Sequence, residues 1–163
     1  MYSLDAVMWA GARLWWDEPT SADAMVRSAD LAEDGDAVAC LVRWRRGDSS
    51  IDDSERMRRF IVSNPDSEGI GRAALIASVL AQGDPATAIA ECDEAITALQ
   101  TEAKIRFTEH QNLQLIRALR ALALLESGDR SLAGREALQL AEELNEKLLP
   151  GILVSEVIAA TGN

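Results

Sequence analysis

Arg43-Trp44-Arg45-Arg46, followed across a short loop by Arg56, Arg58 and Arg59, is the densest group of side chains in the chain that could hold a ligand. A guanidinium presents a planar fork of donors that fits a carboxylate or a phosphate, and an indole can stack on an arginine or on a base. If they converge across the loop, Arg43, Trp44, Arg45, Arg46, Arg56 and Arg59 form an anion patch. The intervening Asp48, Asp52, Asp53 and Glu55 offer the opposite outcome, in which local ion pairs neutralise the cluster.

Other chemistry is sparse. The single histidine, His110, follows Glu109 inside an expected first helical turn and has no second histidine or nearby cysteine, so an exposed or capping role is expected rather than a metal site. Gly69-Ile70-Gly71 lacks the preceding strand that a dinucleotide-binding turn needs, and no glycine-rich loop with a lysine is present to cradle phosphate. The carboxylate pairs Asp34 with Asp36 and Glu142 with Glu143 have the spacing of caps or solvated faces rather than of a general acid and base. No catalytic, metal or cofactor residue is therefore assigned, and the expectation is a protein that is not an enzyme.

The elements that must position these residues are helices. The 163 residues are almost half apolar yet poor in aromatics, with abundant alanine and leucine, which favours an all-α chain with enough length to bury a core without disulfides. Cys40 and Cys92 each sit in an apolar helical context and are expected to be buried and free. A formal charge of -11 repels polyanions, which disfavours nucleic acid as a partner. Asp5 stands where a leader would be basic, and Arg120 interrupts the longest apolar run, so a soluble, cytoplasmic protein with no membrane span is expected.

The clearest pair of helices lies at 112–144. Leu115, Leu119, Leu122 and Ala123 recur at three and four, widened by Leu113, Ile116, Leu124 and Leu125, so broad an arc that this helix must pack on two sides. Thr108 and Gln111 mark its start, Gly128 its end, and Asp129 caps a return helix over about 130–147 that turns Leu132, Leu138, Ala141 and Leu144 inward. Upstream, the spacing predicts helices at 3–16, with Leu4, Val7, Met8, Ala12 and Trp15 inward, and at 20–34. A shorter helix follows between Gly35-Asp36 and Gly47-Asp48, then one to Ser63 that Ser50 and Asp53 open. Asn64-Pro65 stops it, and a helix restarts at Ser67-Glu68 with Gly69 and Gly71 fraying its first turn. Gly83-Asp84-Pro85 supplies a terminating glycine, a cap and a first-turn proline for the helix at about 85–105, and Pro150 to Ala160 forms the last helix.

Aligned on its Gly-Asp turns, the chain shows an internal repeat. Val79 and Leu124 precede Gly83 and Gly128 by four residues, and Ala88 and Ala133 follow by five; Gly35, with Leu31 and Cys40, is a degenerate third copy. The pattern resembles the tetratricopeptide repeat, over about 70–147 and more faintly over 20–47. It departs from that family in glycine spacings of 45 and 48, in lacking the first-helix Trp and Tyr, and in placing Arg120 at a usual leucine position. The resemblance implies antiparallel hairpins stacked into a right-handed superhelix. It also implies one repeat domain over 1–163: degenerate helices at 1–64, two hairpins at 65–147 and a capping helix at 148–163. It further implies a non-enzymatic protein-protein interaction module, as in large bacterial regulators; the alternative is a ligand-sensing regulatory domain of a transcriptional regulator or signal-transduction ATPase. In such arrays the first helix of each pair lines the concave groove, which assigns partner contacts to Arg27, Arg72, Gln114, Arg117 and Arg120. So many cations in an acidic protein would draw an acidic peptide or protein partner.

Overall fold

The computed structural model describes residues 4–28, 37–103 and 107–162. Among them run nine α-helices: α1 (Leu4–Trp15), α2 (Pro19–Ser28), α3 (Ala37–Arg46), α4 (Asp53–Ser63), α5 (Glu68–Ala81), α6 (Pro85–Ala103), α7 (Phe107–Glu126), α8 (Arg130–Ala141) and α9 (Leu149–Thr161), with one 3-10 turn at Pro65–Ser67. No described residue is in a strand, and the fold they make is all-α, as the composition favours. The expected Gly35-Asp36 turn, Leu31 and Asp34 lie outside the described residues, as does the side chain of Thr108. No helix among the described residues is long and apolar enough to cross a membrane. The chain divides into two compact units, Met1–Gln82 and Gly83–Asn163, so α5 and α6, which the repeat alignment joins as one hairpin, belong to different units.

In the first unit α3 is central. Every residue from Ala37 to Val42 is buried, because α3 packs on α1, α2 and α5. The buried side of α1 is Ala10 and Leu14, set against α2, whose Ala22 and Val26 are buried. This corrects the expected face at Met8, which is 64% exposed, and at Ala12, which is exposed too; Trp9 at 61% and Trp16 at 55% lie outside that face. Small side chains let these short helices close on one another, and the bulkier Met8 and Trp9 are left outside. Asp17, at φ 54°, ends α1: its N–H donates to the Leu14 carbonyl (2.9 Å) and the Glu18 N–H to that of Arg13 (2.8 Å), a double closure that satisfies carbonyls left over by the helix. Gly47 ends α3 in the same way. Gly69 and Gly71, expected to fray α5, are instead buried within it. A Cβ on Gly71 would stand 2.9 Å from Ile61 Cγ1 and 3.0 Å from the Phe60 ring, so the glycine is a seat for α4.

In the second unit α7 is central, packed on α6, α8 and α9. That is why its apolar arc is so wide: Leu113, Leu115, Ile116, Ala118, Leu119, Ala121, Ala123 and Leu124 are all buried. Asp84 opens α6 by accepting from the Thr87 N–H and hydroxyl at 3.1 and 2.6 Å, and Asp129 opens α8 by accepting from the Leu132 N–H at 3.2 Å. Between α7 and α8, Gly128 takes φ 96°, a conformation that costs glycine little. Two expectations for α8 are corrected. The helix stops at Ala141 rather than near 147, and it buries Ala133, Gly134, Ala137 and Leu140 rather than the leucine face, leaving Leu138 46% exposed. Pressed between α7 and α9, α8 needs small residues on its inner side, and the segment at 142–148 must turn back so that α9 can cover both neighbours.

Candidate functional site

Between α6, α7 and α8 lies an open groove of about 530 Å³, lined by Asp93 and Ile96 of α6, Arg117 and Arg120 of α7, and Glu136, Gln139, Leu140 and Glu143 of α8 and the turn beyond it. Its position follows from the helix periods. Residues three and four apart share a face, so Asp93 with Ile96, Arg117 with Arg120, and Glu136 with Gln139 and Leu140 form one stripe from each helix, and Glu143 adds to the last from the turn beyond α8. The stripes beside them, Cys92, Ala95 and Leu99 on α6 and Ala133 and Ala137 on α8, are buried against the helices they pack on.

Arg120 is the fixed point of the groove. Its Nε donates to Asp93 Oδ1 at 2.8 Å and its Nη1 to Glu136 Oε1, so one guanidinium ties α6 to α8 across α7. Burial works against its charge, but the bonds to Glu136 and Asp93 outweigh that, and the guanidinium holds its proton more firmly than in water. One turn earlier on the same helix, the Arg117 side chain makes no hydrogen bond or ion pair among the described residues, and neither does that of Glu143.

The other expected contacts lie elsewhere. Arg27 donates to Asp23 at 2.8 Å and Arg72 to Glu68 at 2.8 Å, both in the first unit, while Gln114 meets the exposed His110 at 3.3 Å. The guanidiniums of the Arg43 to Arg59 cluster are divided among several carboxylates, with Asp53 the one that two of them, Arg43 and Arg56, approach. Arg43 reaches the buried Asp53 at 2.7 Å, Arg45 forks onto Asp17 at 2.7 and 3.0 Å, and Arg46 reaches Asp23 at 2.7 Å. Arg56 lies 3.9 Å from Asp53 and Arg59 3.1 Å from Glu55, while Trp44 is half-buried. Three successive guanidiniums at the end of α3 thus tie it to the α1–α2 corner, to α2 and to α4. The fork falls on the residue that takes the positive φ at the end of α1.

Sequence reasoning assigned Arg117 and Arg120 to a partner but none of the six residues that complete the groove, Glu143 having been read as a cap or solvated face. An arginine inside an apolar stripe must find carboxylates on neighbouring helices, and that was the available signal for Asp93 and Glu136. Compared with known proteins, the chain matches no family model, no curated protein and no solved structure.

Proposed function

We propose that the chain is a non-enzymatic interaction module that seats a segment of a protein partner in the α6–α7–α8 groove, with Arg117 as its principal contact. One observation carries this reading. Arg117 stands in an open groove with no carboxylate of its own among the described residues, beside an Arg120 already held on both sides. A guanidinium in that state offers a strong, directional bond to an incoming acceptor. The tight Gly128 turn and the buried Ala133 support a tetratricopeptide-like hairpin of α7 with α8. Both thiols are buried, with pKa values pushed up to about 11 for Cys40 and about 12 for Cys92, which supports a role other than nucleophilic catalysis.

The test is affinity capture from the native host with the full chain and with Arg117→Glu, the captured proteins being identified by mass spectrometry. A partner held by the parent and lost by the variant is expected, with both proteins melting alike. Identical capture by the two sinks the reading. A small effector is the second reading, favoured by a groove volume of about 530 Å³, within the range of small-molecule sites.

A further inference from the structure

Resting on that reading, the pattern of charge along the groove points to the chemistry of the segment it takes. α6 and α7 are joined through 104–106 and packed along one another, and α7 and α8 are joined through the Gly128 turn, so neighbouring helices run antiparallel. The groove then has levels. At one end Asp93, Arg120 and Glu136 lie together, two carboxylates around one guanidinium, with an excess of negative charge. A turn away, Arg117 stands with Ile96 and Leu140, and beyond them is Glu143. The order is negative, positive with an apolar pair, negative.

We propose that the occupant is a net-cationic helical segment bearing one carboxylate, read as basic, apolar with acidic, basic along one face. Its carboxylate meets Arg117, its apolar side chain covers Ile96 and Leu140, one cation faces Glu143 and the other faces the Asp93–Glu136 end. The spacing selects a helix. Arg120 follows Arg117 by three positions on α7, a rise of roughly 4.5 Å, close to the ~5.4 Å repeat of a docked helix and short of the ~6.6 Å between same-face residues of a strand. The charge of the whole chain acts in the same direction, because a protein at -11 attracts a cationic segment and repels an acidic one. A cationic segment is proposed over the acidic partner implied by counting arginines for a local reason: Arg27, Arg72 and Arg120 already carry Asp23, Glu68, and Asp93 with Glu136.

The probe is a fluorescein-labelled helical peptide with Lys, Leu, Glu and Lys at i, i+3, i+4 and i+7, titrated by anisotropy against the full chain. A second peptide carries Lys in place of Glu. Binding of the first is expected to be at least tenfold tighter than that of the more basic second, and Arg117→Glu is expected to reverse the order. Glu143→Lys, on an exposed turn, should weaken the first peptide without touching Arg117. Equal or tighter binding of the all-basic peptide to the parent overturns the proposal, since simple attraction to an acidic surface then accounts for it. Absence of binding by either peptide overturns it too. If host capture still depends on Arg117 in those cases, the groove reading survives and only this partner chemistry fails; if capture ignores Arg117, both fail.

Discussion

Asp53 is fully buried, yet it accepts from Arg43 at 2.7 Å and from the Ser50 N–H at 2.9 Å, and lies 3.9 Å from Arg56. Removing one side of a buried pair leaves the other charge uncompensated, so Asp53→Ala should cost about 3 kcal/mol in urea unfolding. Gly151 makes a different demand. A Cβ there would stand 2.1 Å from the Asn145 carbonyl oxygen, a backbone atom that cannot swing aside, so Gly151→Ala should cost about 3 kcal/mol. At Gly128 nothing lies within 4 Å of an added Cβ and only the positive φ opposes it; the same change there should cost nearer 1 kcal/mol. The thiols set an alkaline limit. An unfolded cysteine releases its proton near 9.0, whereas burial holds Cys40 protonated to about 11 and Cys92 to about 12. The unfolded chain therefore binds fewer protons above pH 9. Stability is intact below that and falls as pH rises toward 11, by about 1.4 kcal/mol per pH unit for each thiol. Urea midpoints between pH 8 and pH 10.5 should drop in the parent and stay flatter in the Cys40→Ala, Cys92→Ala double variant.

At the scale of helices, the repeat alignment makes its own demand. Ala88 and Ala133 are both fully buried, and a leucine at either should overpack the contact at a cost of roughly 1 to 3 kcal/mol, read from thermal or urea unfolding. Variants at both positions as stable as the parent would count against the alignment. Helix boundaries were legible wherever punctuation is local. Gly47, Asn64-Pro65, Gly83-Asp84-Pro85 and Gly128-Asp129 act through their own backbone preferences, and the helices end or begin there. Faces were less legible where size, not hydrophobicity, decides. On α1 and α8 the larger apolar residues suggested the inner side, but tight packing selected Ala10 with Leu14 and Ala133 with Ala137. The fate of each arginine depends on carboxylates brought close by the fold. Asp17 lies 28 residues from Arg45 and Asp93 lies 27 from Arg120, so neither pair can be read from local spacing.

Over the whole molecule, each unit is arranged around its own buried helices, α3 and α5 in one and α7 in the other. The second unit, Gly83–Asn163, contains every residue of the groove, and its central helix is covered by three partners from within the same unit. A chain of about 80 residues is near the lower end of what a core can stabilise without disulfides or metal, but many chains shorter than this fold alone. The α7 core, with Leu115, Ile116 and Leu119 fully buried and Leu149, Leu153 and Val157 of α9 closed over it, favours the same outcome here. Expressed by itself, 83–163 should therefore show a helical circular dichroism spectrum and a cooperative melt. It should also bind the Lys-Leu-Glu-Lys peptide within threefold of the full chain. A non-cooperative melt would mean that this core is incomplete without residues 1–82. A folded fragment that has lost the peptide would mean that a binding residue lies outside the groove.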